Sequence, residues 1–280
     1  MLELSLGMII AVMVLAFFCE YVDSTLGMGY GTTLTPVLLL LKFPANEIVP
    51  AILLSELITG LLAGLFHHYE GNVNFKPSPP DVFKVASLLK PLGYIENLRK
   101  TLPVHLKVAL LLGSCGIVGT IIAVFIAVSL PKFWLKLYIG CLVTAMGIII
   151  LVCSNREFKF SWKRITLLGL IASFNKGMSG GGYGPVVTGG QILSGVETKS
   201  AVGITSLAEG LTCVVGVIVY FLLARHTITW KLAPWLIIGA VTSVPLTAKS
   251  VKIIGTRNLK LAIGVLTLVL GLFTIVKTLV

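Results

Sequence analysis

Apolar residues run almost without interruption through much of this chain, and the polar ones are gathered between the runs. A helix of a water-soluble domain carries an apolar stripe and a polar face. Here the stretches 108–129, 133–153 and 259–276 are apolar all round, and they approach the roughly 20 residues that cross a bilayer. The stretches 48–67, 201–223 and 232–248 read the same way. Two further runs are broken. Residues 4–19 turn polar at Glu20, Tyr21, Asp23, Ser24 and Thr25, reach the glycines of 26–31, and resume at 33–41, too short to span alone. Residues 167–174 stop at Asn175-Lys176-Gly177-Met178-Ser179-Gly180-Gly181-Gly182 and resume at 186–193. The pattern predicts an all-α integral membrane protein of about eight transmembrane helices, or ten if the half-helices cross fully. Two of the eight are interrupted helices or re-entrant hairpins. Irregular backbone at that depth is tolerated only where it lines a cavity or is buried in protein.

The two breaks share one register. Gly27, Gly29, Tyr30 and Gly31 meet Gly180, Gly182, Tyr183 and Gly184, each 153 positions further on. Glu56 meets Glu209 and Thr59 meets Thr212 at the same offset. Later, Gly140 and Gly147 meet Gly264 and Gly271 at an offset of 124, so the first copy carries an insertion of 29 residues. The polar stretch 70–107, basic and broken by five prolines, is the place for it; it holds a short interfacial helix at 81–89 or solvated chain. The reading is two membrane repeats, 1–154 with the basic loop 70–107, and 155–280. An even number of spans in each makes the copies parallel. Matching interrupted segments in two halves point to a substrate site between them.

Composition supports the membrane reading. Of 280 residues, 56% are hydrophobic and 12% charged, and the mean hydropathy is +1.00. Soluble domains carry about 25% charged residues, so a soluble helical enzyme is excluded. The first run has Glu3 in place of a basic leader, and no small-residue cleavage site follows, which argues against a secretory signal. The net charge is +11, but the basic residues lie in short segments beside spans, where they orient the protein and meet anionic lipid. The bilayer is the expected partner, and nucleic acid is not; a homo-oligomer is compatible with the sequence. The basic segments 70–107, 155–164 and 225–231 go to the cytoplasmic side of the cell membrane, and both termini with them. Lys249, Lys252, Arg257 and Lys260 would then lie outside, against the trend. The five cysteines form no CxxC pair and read as reduced packing residues.

No set of residues suits catalysis, a metal or a cofactor: the four histidines sit at span ends or in loops, and no HExxH or phosphate loop occurs. The glycines instead free backbone N–H groups, and a half-helix N-terminus presents them with the positive end of its dipole. An oxyanion is the natural occupant. Lys176, with Asn175 beside it, adds a full positive charge; the alternative is that this lysine snorkels to an interface. Glu56 and Glu209 are lone acids inside apolar runs, each with a threonine on its helix face. A charged acid there is costly, which makes the pair candidate proton carriers; the alternative is a structural role. Asp23 stands where the second copy has Lys176, so the copies differ in charge, and an Asp23–Lys176 pair is conceivable.

The duplicated Gly-x-Gly-Tyr-Gly stretch, the glutamate that follows it and Asn175-Lys176-Gly177 resemble the TauE/SafE sulfite exporter family, also called the toluene sulfonate uptake permease family. The resemblance covers essentially the whole chain. It implies a polytopic inner-membrane carrier for sulfur-containing anions such as sulfite, sulfoacetate and other organosulfonates, and thiosulfate joins them in the expected substrate range. Met28 stands opposite Gly181 and Thr32 opposite Pro185, departures that bear on the substrate. The expectation is a secondary transporter with proton coupling and no enzymatic activity. The substrate site would be lined by Gly27, Gly29, Tyr30, Gly31, Asn175, Lys176, Gly180, Gly182, Tyr183 and Gly184, with Glu56, Glu209 and Asp23 in coupling. The competing classes are an anion channel and a membrane sulfur-relay protein using its cysteines.

Overall fold

The first helix, α1 (Leu6–Leu26), starts where the Ser5 hydroxyl accepts the Met8 N–H, and it ends at Gly27, whose φ of 74° is the left-handed C-cap that glycine adopts without strain. Gly29, at φ 130°, completes the turn into α2 (Tyr30–Leu40). Then follow α3 (Ala45–Tyr69), α4 (Val104–Ala127), α5 (Lys132–Val152), α6 (Trp162–Ser179), α7 (Tyr183–Leu193), α8 (Thr198–Leu223), α9 (Ala233–Ile253) and α10 (Thr256–Leu279). This computed structural model describes residues 5–77, 102–127, 132–179, 183–223 and 230–279, and every regular element among them is helical. The 81–89 stretch and Gly180 and Gly182 lie outside the described residues.

Among the described residues, five helices contain segments long and apolar enough to span: Leu6–Leu26, Glu47–Tyr69, Thr198–Ile218, Ala233–Ile253 and Thr256–Leu279. Val104–Gly119 and Leu137–Val152 are shorter apolar stretches within α4 and α5. At 11 residues each, α2 and α7 are about 16 Å long, half a bilayer. One boundary differs from the sequence expectation. The helix does not stop at Asn175 but runs through Lys176 and Gly177 to Ser179. A single interior glycine costs a helix only about 1 kcal/mol, so the polar stretch alone does not break it.

The packing is long-range. The most extensive pairing is α5 along α10, and α3 crosses α8 at the centre. α1 lies on α9, and α4 lies on α6; α3 also touches α9, and α4 also touches α8. The α3–α8 crossing is close because both faces are glycine: a methyl on Gly60 would sit 2.7 Å from the Ser206 carbonyl oxygen, and one on Gly210 would sit 2.9 Å from the Leu61 nitrogen. Each half-helix belongs to its own apolar cluster. Tyr30, Leu34 and Leu38 of α2 join α1, α3 and α9, whereas Tyr183, Val186 and Ile192 of α7 join α4, α5, α6 and α8.

Polarity is distributed for lipid. On α1 every fourth residue, Leu6, Ile10, Val14, Phe18 and Val22, points outward and is exposed. On α10, Val265, Val269, Leu272, Phe273 and Val276 do the same. The buried set includes Glu20, Ser24, Ser55, Glu56, Thr59, His67, Asn175, Thr188, Thr205 and Glu209. In hydrocarbon, polar groups turn to the bundle interior and find one another. The chain is a multi-pass membrane protein, and its polar seam lies between the two apolar clusters.

Candidate functional site

The two helix breaks meet. The Thr188 hydroxyl of α7 donates to the Gly27 carbonyl at 2.9 Å, and a methyl on Gly184 would lie 2.6 Å from the same oxygen. Only glycine lets these backbones approach so closely. Gly31 is constrained in the same way, because a methyl there would come within 3.1 Å of a Glu56 carboxyl oxygen; the acid lies directly against α2. Gly29 faces Val22 of its own α1 and contributes its turn. One of the free N–H groups at the α2 N-terminus is taken, since the Asp23 carboxylate accepts the Tyr30 N–H at 3.0 Å. The Tyr30 hydroxyl is hydrogen-bonded to Ser55 at 2.7 Å.

Lys176, near the end of α6, reaches the α3–α8 crossing. Its Nζ lies 2.9 Å from Glu209 Oε1 and 3.5 Å from Glu56 Oε2. It also lies 3.7 Å from the Cys213 sulfur and 5.0 Å from the centre of the Tyr183 ring. The Cys213 thiol in turn donates to Glu56 at 3.4 Å. The ammonium is therefore paired with two acids rather than with Asp23. Tyr183 is buried, and its hydroxyl finds no hydrogen-bond partner among the described residues. Asn175 is fully buried one residue before the lysine. The threonines distribute differently from the sequence pattern: Thr205 bonds to Thr188 and Gln191 of α7, Thr212 donates to the Glu209 carbonyl, and Thr59 turns toward Glu20.

A cavity of about 10 Å³, room for about one water molecule, is lined by Glu20, Asp23, Ser24, Glu56, Thr59, Gly60, Ser206 and Glu209. Four carboxyl groups thus share one small space with Lys176 at its edge. Sequence reasoning missed Glu20, because the polar stretch 20–25 read as the end of a helix. The helix in fact continues to Leu26, which puts residues 20, 23 and 24 on one face. It also missed Cys213 and His67. His67 is fully buried; its Nε2–H donates to the Ser24 carbonyl at 3.0 Å, and its Nδ1 accepts the Asn72 amide at 3.1 Å. Asn72 borders a wider pocket of about 310 Å³, lined also by His68, Asn74, His105, Glu197 and Ser200. Among the described residues, no group of three or more His, Cys, Asp or Glu side chains is arranged to hold a metal ion.

Comparison with known proteins agrees with this architecture. The chain is 24% identical over 242 residues to the probable membrane transporter protein YtnM of Bacillus subtilis (strain 168), an alignment covering 82% of this chain and 70% of that protein. No solved structure matches it. Residues 12–78 and 83–274 match the family described as sulfite exporter TauE/SafE. A helical membrane bundle with two broken helices meeting at a buried charged centre, matched over nearly its whole length, belongs to the TauE/SafE family of membrane transporters.

Proposed function

We propose that this transporter moves a small sulfur-containing anion, such as sulfite, thiosulfate or an organosulfonate, across the cytoplasmic membrane, and that protons move with it. The observation that carries the reading is the clamp on Lys176. A buried ammonium held by two carboxylates of its own chain is a charge that can change partner. An oxyanion arriving beside Lys176 and the Tyr183 hydroxyl competes with Glu56 and Glu209. A displaced carboxylate left charged in this dry setting costs several kcal/mol, whereas a protonated one does not. Binding of the anion and protonation of a glutamate then favour each other, and linkage makes that coupling reciprocal. The sulfur chemistry of the substrate rests on the family, and the anion site rests on Lys176. The helix pairings support the two-repeat organisation, 1–154 and 155–280: exchanging the halves turns the α1–α9 contact into α6–α4, and turns the α3–α9 contact into α8–α4. The basic segments support cytoplasmic termini.

The test is uptake of radiolabelled sulfite, thiosulfate and methanesulfonate by proteoliposomes with and without an imposed pH gradient. The expected result is saturable flux of at least one anion, stimulated by the gradient and lost in Lys176→Met. Flux that rises linearly with concentration would make the protein a channel, and saturable flux indifferent to the gradient would remove the proton.

A further inference from the structure

We propose that Glu20 carries the coupled proton and is held protonated in the state described here. The inference rests on the proton coupling proposed above and names the donor: Glu20 holds the proton that a displaced Glu56 or Glu209, lining the same small cavity, takes up. The Thr59 hydroxyl has one proton and two acceptors within reach, the Ser55 carbonyl at 3.0 Å and Glu20 Oε2 at 3.1 Å. A hydroxyl donates once and accepts twice. If Thr59 donates to Ser55, the ordinary back-bond of a threonine in a helix, the contact with Glu20 is satisfied only by a proton on the carboxyl. Glu20 Oε1 is held by the Ser24 hydroxyl. The acid is 2% exposed, and among the described residues no cation lies on it.

The charged neighbours point the same way. Asp23 and Cys19 flank Glu20 on α1, Glu56 faces it from α3, Glu209 from α8, and Tyr30 from α2. None of these groups is a cation. Lys176, from α6, is taken up by Glu56 and Glu209. Asp23 has the α2 N-terminus. Of the four carboxyl groups around the small cavity, Glu20 is the one for which neutral hydroxyls supply everything it receives.

Release is balanced. The Oε2–H bond breaks, the proton passes to water in the cavity, and the carboxylate keeps the electron pair. Thr59 then rotates its hydroxyl from Ser55 to Glu20, so that both oxygens of the new anion accept from hydroxyls. A line of polar groups connects this spot to the larger pocket: Ser24, His67, Asn72 and Ser200, with Ser200 donating to the Asn72 carbonyl at 3.0 Å. On this proposal, that pocket is the side from which water reaches the acid.

The experiment is infrared difference spectroscopy of the intact protein in lipid nanodiscs, read at the C=O stretch of protonated carboxylic acids. It needs no substrate. The wild type is expected to show such a band at neutral pH, Glu20→Gln to lose it, and Glu56→Gln and Glu209→Gln to keep it. Thr59→Ala, which removes the acceptor of the proton, is expected to shift the band, and it serves if the glutamine variant misfolds. A wild type without the band, or a band unchanged in both Glu20→Gln and Thr59→Ala, overturns the assignment. In proteoliposomes, Glu20→Gln is then expected to move sulfite with at least a tenfold loss of the accompanying proton flux. Proton flux per anion equal to wild type would assign the proton to another group, and absence of sulfite flux in the wild type would instead remove the substrate reading.

Discussion

Replacing Lys176 with methionine tests the charged centre directly. Methionine keeps most of the side-chain volume and removes the charge, so lost packing contributes little. At an effective dielectric of about 20, a unit charge 2.9 Å from Glu209 and 3.5 Å from Glu56 interacts by about 6 and about 5 kcal/mol. Repulsion between the two acids and the desolvation of all three groups offset much of that. Experience with buried pairs puts the net loss on removing one partner at about 3–5 kcal/mol, because the charges left behind are uncompensated. The groups are largely withdrawn from solvent, with side-chain exposures of 16% for the lysine, 8% for Glu56 and 12% for Glu209. In a background carrying Glu56→Gln and Glu209→Gln neither partner of the lysine remains to be stranded and the ammonium itself is uncompensated, so the same replacement is expected to cost nothing or to stabilise. The assay is unfolding of the purified protein by increasing denaturant, followed by tryptophan fluorescence, for the four corners of this cycle. A coupling energy of at least about 2 kcal/mol is expected; independent sites add to within about 0.5 kcal/mol, and a result in that range would refute the reasoning.

Two further outcomes follow from the same geometry. Tyr30→Phe deletes the 2.7 Å bond to Ser55 and is expected to cost about 1 kcal/mol, whereas Tyr183→Phe removes a buried hydroxyl that has no partner among the described residues, leaves stability unchanged or higher, and weakens anion binding, measured by thermal shift with added sulfite. Gly60→Ala and Gly210→Ala push a methyl into backbone at the α3–α8 crossing and are expected to cost about 1–3 kcal/mol in the same denaturant assay, while Gly255→Ala, with nothing within 4 Å, stays within about 0.5 kcal/mol of the parent.

The sequence made some of this legible and hid the rest for physical reasons. Glycine is the one residue that takes φ 74° and 130° without strain, so the α1–α2 break announces itself. Lone acids in apolar runs are as conspicuous, which is why Glu56 and Glu209 stand out. Glu20 does not, because its neighbours are polar and a polar stretch looks like a helix end; packing along α9 and hydrogen bonds to α3 hold the helix together to Leu26. The partner of Lys176 was equally hidden. Asp23 occupies the matching position in the first half, yet the close crossing at Gly60 and Gly210 brings α3 and α8 to the lysine, and the α2 N-terminus takes the aspartate. Helix neighbours such as α4 on α6 leave little signal, since a helix apolar on every side carries no stripe to mark its inner face.

On the duplication proposed above, the scaffold repeats and the chemistry does not. At the common offset Asp23 corresponds to Lys176, Ser55 to Ala208, Glu20 to Ser173 and Gly60 to Cys213. Each exchange has a consequence in the structure. In the first half, Asp23 occupies the helix N-terminus that would otherwise attract an anion, and Ser55 satisfies the tyrosine hydroxyl. In the second half the corresponding side chain is a cation, and the tyrosine hydroxyl, with Ala208 in place of the serine, has no partner among the described residues. A pair of equivalent breaks would offer two anion sites close enough to repel each other. On the function proposed above, these replacements fill one site with the protein's own carboxylate and leave the other to the substrate. The half that keeps its own carboxylate is also the half that holds Glu20, so on the same proposal one anion and the proton that accompanies it are divided between the two copies. Converting Asp23 to alanine would therefore unsettle the α2 N-terminus without creating a second productive site, because no lysine stands beside it.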